Sequence, residues 1–253
     1  MSSPISPREV TSLAHAAALR WGRRPRQLDA VWAPAGVPVT VAPSWLLGLA
    51  LTAWTVGDAL LPDAVPDRST VAYAAAGVAT AAALAVTLVL HETAHAAAAR
   101  RAGLGVRSIT LSFVGGALEL AEPPTNPGVE ARVALAGPLA SAAAAVVATV
   151  AHVALVFADV DPLLAASAAV VAIGNLLIAA FNCIPALPLD GGRALHAALW
   201  ALTGHEAMGT RVTASMGRAL SMALLGLAVM ASASADAALA IWLGLLGLSV
   251  YSG

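Results

Sequence analysis

Long apolar runs separated by short polar stretches dominate the chain after residue 42. A membrane-spanning helix needs about 20 mainly apolar residues. The runs that reach or approach this length cover residues 43–62, 70–98, 132–157, 163–184, 212–232 and 235–251. The run at 212–232 is the weakest because Arg218 lies in its first turns, and a short helix at 193–203 could precede it. The pattern predicts an all-α polytopic membrane protein with about six transmembrane helices.

Residues 104–121 depart from this pattern, because their apolar and polar side chains alternate. The alternation predicts a β-strand from Val106 to Val114, a turn at Gly115-Gly116 and a return strand from Ala117 to Ala121. Unpaired strand edges cannot face lipid. We therefore expect a small membrane-associated β-hairpin, at the membrane surface or along a cavity of the protein.

The sequence before the first apolar run has a mixed character and includes four arginines between residues 20 and 26. It lacks the short basic start, apolar run and small-residue site of a cleaved signal peptide. We interpret residues 1–42 as an irregular cytoplasmic N-terminal arm with a short helix from Pro7 to Trp21. Residues 43–253 are then one six-helix domain.

The composition supports membrane insertion, since 59% of residues are hydrophobic and 11% are charged. A soluble domain carries roughly 25% charged residues, so this chain has too little polar surface to cover a water-exposed globule. With the N-terminus in the cytoplasm and six crossings, 12 of the 13 basic residues, all arginines, fall on or near the cytoplasmic side. This predicts a multi-pass protein of the cell membrane with both termini cytoplasmic. The net charge of -1 gives no reason to expect a nucleic-acid partner.

The motif His91-Glu92-Thr93-Ala94-His95 lies near the end of the second run. A spacing of four residues places both imidazoles on one helix face, within reach of one metal ion. Glu92 is next to the first ligand, as in the H-E-x-x-H arrangement of zinc hydrolases. Each ionisable group in mid-membrane costs at least ~2.5 kcal/mol on insertion scales, and a bound cation compensates for such a cost. The motif predicts one zinc ion per chain.

A catalytic zinc usually has a third protein ligand. The remaining histidines, His15, His152, His196 and His205, form no cluster in the sequence. Asp190 is the better candidate, because two prolines break the fourth helix just before it and two glycines follow it. The spacing by itself does not separate this role from an N-cap of a helix that starts near Arg193.

Together, the two motifs resemble the site-2 protease family of intramembrane zinc metalloproteases. The stretch N-C-I-P-A-L-P-L-D-G-G at residues 182–192 matches the family pattern N-x-x-P-x-x-P-L-D-G, and A-G-P-L at 136–139 and the Gly115-Gly116 hairpin also resemble family landmarks. The resemblance covers roughly residues 43–195. It implies a zinc site formed by His91, His95 and Asp190, with Glu92 as general base and Asn182 as the donor that stabilises the oxyanion.

The resemblance further implies regulated intramembrane proteolysis, in which peptide bonds in or near transmembrane segments of membrane-tethered substrates are hydrolysed. The expected partners are a transmembrane protein substrate, added as a strand to the 104–121 hairpin, and the lipid bilayer, with homo-oligomerisation left open. The connections 62–70 and 101–131 are too short for a PDZ domain, so we expect a compact bacterial member without PDZ or CBS domains.

The alternative function is a non-proteolytic zinc-binding membrane scaffold or metal carrier. Glu92 argues against it, because a pure binding site needs no base. Individual residues also have simpler interpretations. Asn182 could cap carbonyls at the helix break, Asn175 fits an interhelical hydrogen bond, and Cys183 fits a packing role.

Overall fold

The computed structural model of the protein describes residues 36–113, 115–234 and 237–252. The predicted helix from Pro7 to Trp21 lies outside these residues. The helices, in chain order, are α1 Pro43–Ala64 (with a π-helical stretch at Thr55–Leu60), α2 Thr70–Arg101, α3 Pro127–Phe157, α4 Pro162–Asn182, α5 Asp190–Thr203, α6 Glu206–Ala233 and α7 Ala237–Ser252. The strands are β1 Val39–Val41, β2 Val106–Ser112 and β3 Gly115–Leu120.

Five of the described helices, α1, α2, α3, α4 and α6, are long and apolar enough to cross a membrane. The sixth predicted run is also helical, but α7 has only 16 residues, about 24 Å of helix against a hydrocarbon core of about 30 Å. The short helix expected at 193–203 is α5, which begins three residues earlier, at Asp190. The fold class predicted from the apolar runs is therefore confirmed.

The small sheet has the strand order β1-β2-β3, with β1 parallel to β2 and β3 antiparallel to it. The hairpin expected from the alternation is present, but its turn is not at Gly115-Gly116. Gly115 pairs with Ser112, so the chain reverses between these two residues and both glycines belong to β3. The segment before residue 43 was expected to be irregular, yet it contributes β1. A strand of three residues is too short to leave a periodic signal.

The sheet packs on the end of α2 that carries the histidine motif. Buried side chains from the sheet, Ile109, Leu111 and Leu118, form one cluster with Ala96 and Ala99 of α2 and with residues at the start of α3. Burying this apolar face fixes the hairpin against α2. The sheet consequently covers the turn of α2 in which Glu92 lies.

Proline and capping residues set where the membrane helices begin. Asn126 accepts a hydrogen bond from the Val129 N–H at the start of α3, and Asp161 accepts one from the Leu163 N–H at the start of α4. Each cap precedes a proline at the first helical position, where the missing N–H costs nothing. These signals are local, so they can be read directly from the sequence.

Candidate metal centre

His91 and His95 lie on one face of α2, as their spacing predicts. Their Nε2 atoms are 3.2 Å apart, and the two rings meet edge to face with centroids 4.9 Å apart. His91 is 2% exposed and His95 is 5% exposed. Two imidazoles this close and this buried, with nitrogen facing nitrogen, form one end of a metal site.

Asp190 completes a triangle with the two histidines. Its Oδ2 lies 3.2 Å from His91 Nε2 and 3.2 Å from His95 Nε2. Tetrahedral zinc with ligands at 2.0–2.1 Å has ligand atoms about 3.3 Å apart, so the three donors have the spacing that one such ion requires. Asp190 is the first residue of α5, and Leu189 occupies the N-cap position, so Asp190 is not the N-cap.

Backbone and side-chain groups of α3 hold the outer nitrogen of each imidazole. His91 Nδ1 lies 2.9 Å from Ser141 Oγ, and His95 Nδ1 donates to the Val133 carbonyl at 2.6 Å. Pro138 lies in the same helix. It has no backbone N–H to donate to a helix carbonyl, so one hydrogen bond of the helix is missing in this turn. With both Nδ1 atoms engaged, the Nε2 atoms are left as the metal-facing nitrogens.

Gly137 leaves the space that these nitrogens occupy. A Cβ built on Gly137 would lie 2.5 Å from His91 Nε2 and closer still to His95 Nε2. The backbone of α3 therefore forms one wall of the site, and only glycine fits there. Val133, Gly137 and Ser141 are spaced by four residues and so share one face of α3. The sequence contains this stripe, but nothing local indicates that it faces the histidines.

Glu92 is 4% exposed and lies between α2 and the sheet. A Cβ on Gly116 of β3 would overlap the Glu92 side chain. The strand comes so close to the carboxylate at Gly116 that no side chain fits there. This close approach explains why a glycine occupies a position within the strand. The backbone of β3 at Gly116 therefore packs directly against the Glu92 carboxylate, next to the histidines.

The break between α4 and α5 folds tightly on its own glycines. A Cβ on Gly191 would overlap the backbone of Cys183, and one on Gly192 would overlap the backbone of Ala186 and Leu187. The Leu187 N–H also donates to the Thr213 carbonyl of α6 at 3.2 Å. These contacts turn the chain back so that α5 begins at the depth of the histidine motif.

Helix α6 supports this loop closely. A Cβ on Gly217 would overlap the Leu187 carbonyl. The fifth run, the weakest in the sequence, consequently contributes to the position of Asp190.

Three residues in α4 and the break after it can be compared with their simpler interpretations, and Asn182 alone matches its own. Asn182 Nδ2 donates to the Ile178 carbonyl of its own helix at 3.0 Å, which is the carbonyl-capping arrangement. Asn175 is fully buried, but its Nδ2 donates within its helix, to Val171, so the expected interhelical bond is not made by this group. Cys183 is exposed, so the packing role expected for it is wrong.

Among the other histidines, His196 of α5 has a charged partner that the sequence did not reveal. Its Nδ1 lies 2.8 Å from Glu130 Oε2 of α3, a residue 66 positions away. The hydrogen bond that Nδ1–H donates to this carboxylate raises the pKa of His196 above its ordinary value. His152 Nδ1 donates to the Ala165 carbonyl at 2.8 Å, His205 is exposed, and His15 lies outside the described residues.

Comparisons with known proteins show which family and which proteins this chain is similar to. The family model described as peptidase family M50 matches residues 79–168 and 158–224. Rip3 from Mycobacterium tuberculosis is 34% identical over 220 residues, which cover 86% of this chain and 55% of Rip3. Zinc metalloprotease MJ0392 from Methanocaldococcus jannaschii is 33% identical over 144 residues, 55% of this chain and 40% of that protein.

A solved structure, the site-2 protease from Methanocaldococcus jannaschii, is similar with a TM-score of 0.62 and 26% identity. The similarity covers 90% of this chain and 93% of that one. By contrast, the chain spans about half the length of the curated relatives that it matches.

Proposed function

Because the chain belongs to peptidase family M50, we propose that it is a zinc metalloprotease that hydrolyses peptide bonds in or near transmembrane segments of membrane-tethered proteins. The observation that carries the proposal is the triangle of His91 Nε2, His95 Nε2 and Asp190 Oδ2, with edges of 3.2 Å. It lies beside the buried Glu92, and its two histidines are on α2, a helix long and apolar enough to span a membrane. Three protein donors leave one position of a tetrahedral ion open for chemistry.

In this proposal the three donors hold one zinc ion, and Glu92 moves the protons. When bound, zinc supplies Lewis-acid polarisation of the scissile carbonyl and makes water a better nucleophile at neutral pH. Glu92 accepts a proton from the attacking water and then gives it to the nitrogen of the leaving amine. Its burial under Gly116 keeps bulk water from competing for that proton.

The role proposed for Asn182 is to donate its amide N–H to the oxyanion of the tetrahedral intermediate. The Asn182 side chain is half-buried at the last turn of α4, next to the break that leads to Asp190. It would have to exchange the Ile178 carbonyl for the substrate oxygen. A neutral donor that exchanges one acceptor for another needs no change of charge in this apolar setting.

The sheet supports a way to present an extended substrate. Strand β1 already occupies one edge of β2, and β3 has no further strand partner among the described residues. A peptide that pairs with the outer edge of β3 would gain main-chain hydrogen bonds there. Since Gly116 of β3 is in contact with Glu92, such a peptide would run close to the base.

The charge distribution supports a site toward the cytoplasmic face, and both termini are cytoplasmic provided that α7 makes the sixth crossing. Arg100 and Arg101 end α2, five and six residues after His95, or about 8–9 Å along the axis. At the other end of α2, Arg68 pairs with Asp161 at 2.9 Å. The first end carries more of the arginines, which is the bias expected of the cytoplasmic side.

The test is cleavage of a single-span substrate co-reconstituted with the protein in lipid vesicles. Glu92→Gln removes the base but leaves the three donors, so we expect zinc content to stay at one per chain and cleavage to fall by at least about 10²-fold. Glu122→Gln, at an exposed position outside the sheet, is the matched control and is expected to cleave normally. Equal cleavage by Glu92→Gln and wild type would remove Glu92 from the mechanism.

A further inference from the structure

A second buried polar cluster joins three helices near the metal centre. Its central residue is His196 of α5, which is 7% exposed. Nδ1 of His196 lies 2.8 Å from Glu130 Oε2 on α3, and Nε2 lies 3.1 Å from Thr210 Oγ1 on α6. His196 follows Asp190 by six residues, which is about 9 Å along the axis of α5. The cluster therefore lies outside the proposed ligand shell but on the same short helix as the third donor.

The hydrogen bonds of this cluster form one consistent chain when His196 is protonated. An imidazolium donates from both ring nitrogens, and an ionised carboxylate only accepts. Nδ1–H then donates to Glu130, Nε2–H donates to Thr210 Oγ1, and the Thr210 hydroxyl donates onward to the Glu206 carbonyl at 3.3 Å. If Nε2 were instead the acceptor, the Thr210 hydroxyl would have to turn away from Glu206. The arrangement thus suits an ion pair between His196 and Glu130.

Glu130 belongs to the face of α3 that already supports the histidines. Glu130, Val133, Gly137 and Ser141 follow one another at spacings of three, four and four residues, which forms a single stripe along the helix. Three positions of this stripe contact the motif on α2: Val133 and Ser141 bind its Nδ1 atoms and Gly137 makes room for its Nε2 atoms. The fourth, Glu130, binds α5. One face of α3 therefore contacts both the histidines and the helix that carries Asp190.

The third side of His196 is closed by α6. A Cβ on Gly209 would lie 2.8 Å from the His196 carbonyl oxygen and 2.9 Å from its Cδ2. The imidazole is consequently in contact with the Glu130 carboxylate, the Thr210 hydroxyl and the backbone at Gly209. These contacts leave it little freedom to change rotamer.

We propose that His196 is a positioning residue for Asp190, because its ion pair with Glu130 fixes the tilt and register of α5 against α3. The start of α5 is held by the loop before it, where the Leu187 N–H donates to the Thr213 carbonyl and Gly191 and Gly192 pack on the loop backbone. The His196–Glu130 pair is a second anchor about 9 Å further along, and two anchors define an axis. Since metal ligands tolerate errors of only about 0.2 Å, the second anchor improves the fit of Asp190. The inference rests on the proposed role of Asp190 as a zinc ligand.

The experiment measures the zinc dissociation constant of the purified full chain by competition with a chromophoric chelator, together with the visible spectrum of the cobalt-substituted protein. His196→Ala is expected to weaken zinc binding about tenfold, at the low end of the range for residues that orient metal ligands, and to shift the cobalt bands. His196→Asn keeps an N–H that can reach Glu130 and is expected to restore part of the affinity. Glu130→Gln, which keeps an acceptor without charge, is expected to lie between His196→Ala and wild type.

Two controls separate positioning from general stability. Ala197→Gly weakens α5 at the neighbouring buried residue by about 1 kcal/mol without touching the pair, and we expect a lower melting temperature with an unchanged zinc affinity. His205→Ala removes an exposed histidine between α5 and α6 and is expected to behave as wild type. A loss of zinc affinity in Ala197→Gly equal to that in His196→Ala would overturn the proposal.

The reference variant is Asp190→Ala. If Asp190→Ala loses zinc affinity while His196→Ala, His196→Asn and Glu130→Gln all bind zinc as wild type does, the positioning role is wrong and the ligand set stands. If Asp190→Ala itself binds zinc normally, the ligand set is wrong and the positioning role goes with it. Should His196→Ala fail to fold, His196→Asn and Glu130→Gln decide the question, because both retain a hydrogen bond in the cluster.

Discussion

Gly137→Ala adds one methyl group where α3 touches the metal centre. The new Cβ would lie 2.5 Å from His91 Nε2, whereas ordinary contact begins at 3.4 Å, so the imidazole must retreat by about 1 Å. The His95 ring, which is closer, must retreat further. Neither ring can do so and keep its Nδ1 bond, to Ser141 at 2.9 Å or to Val133 at 2.6 Å.

A displacement of about 1 Å is several times the 0.2 Å tolerance of a metal–ligand distance. Misplacing reacting groups by that amount can also cost about 10²-fold in rate. We therefore expect Gly137→Ala to lose stoichiometric zinc and to cleave a reconstituted single-span substrate at least about 100-fold more slowly than wild type. The measurements are metal content by elemental analysis and initial cleavage rate in vesicles at equal protein load.

Gly226→Ala is the matched control, because it is the same substitution in a membrane helix, α6, at a position with nothing within 4 Å of the added Cβ. Alanine is the better helix former, so we expect normal folding, zinc content and cleavage. Wild-type zinc content and rate in Gly137→Ala would refute the reasoning, since the structure leaves no space for the methyl group beside the two ligating nitrogens.

Three further predictions concern the groups around the site. Ser141→Ala removes the partner of His91 Nδ1 and is expected to weaken zinc binding 10- to 100-fold, as measured by chelator competition; an unchanged affinity would contradict an orienting role. The pKa of His196 is raised above 6.5 by its bond to Glu130, so this pair stabilises the fold fully below pH 6.5 and loses that contribution as the pH rises through the raised pKa. A titration of the His196 ring by NMR should show this raised pKa and its fall in Glu130→Gln; equal values would contradict the ion pair. Removal of zinc with a strong chelator should abolish cleavage and lower the melting temperature, and both should return on adding zinc.

The apolar runs gave the helices because their signal is local. Each run is long enough to span or nearly span a bilayer, and caps such as Asn126 and Asp161 begin helices through contacts two or three residues away. The His91–His95 spacing is local in the same sense, because one turn of helix decides which face both imidazoles share. The alternation at 104–121 likewise predicted two strands correctly.

The same local reasoning misplaced features that depend on a distant neighbour. The glycines at 115 and 116 were assigned to a turn, but Gly116 lies in a strand. The residue is glycine because the Glu92 side chain leaves no room for a Cβ there. Cys183 was expected to pack and is exposed. Asn175 was expected to bond another helix, and its Nδ2 binds its own. In each case the deciding contact, or its absence, is invisible to a pattern of neighbouring residues.

By itself the sequence determined the class of protein, the two histidine positions of the candidate metal centre and Asp190 as the candidate for the third donor. Only the tertiary structure decided that Asp190 faces the histidines, that the stripe from Glu130 to Ser141 supports them, and that His196 ties α5 to α3. The partners of His91, His95 and His196 on α3 are 50, 38 and 66 residues away. The physical reason is the solvent: lipid is as apolar as the protein interior, so the helices carry apolar residues on all sides and their sequences do not mark which face meets a neighbour.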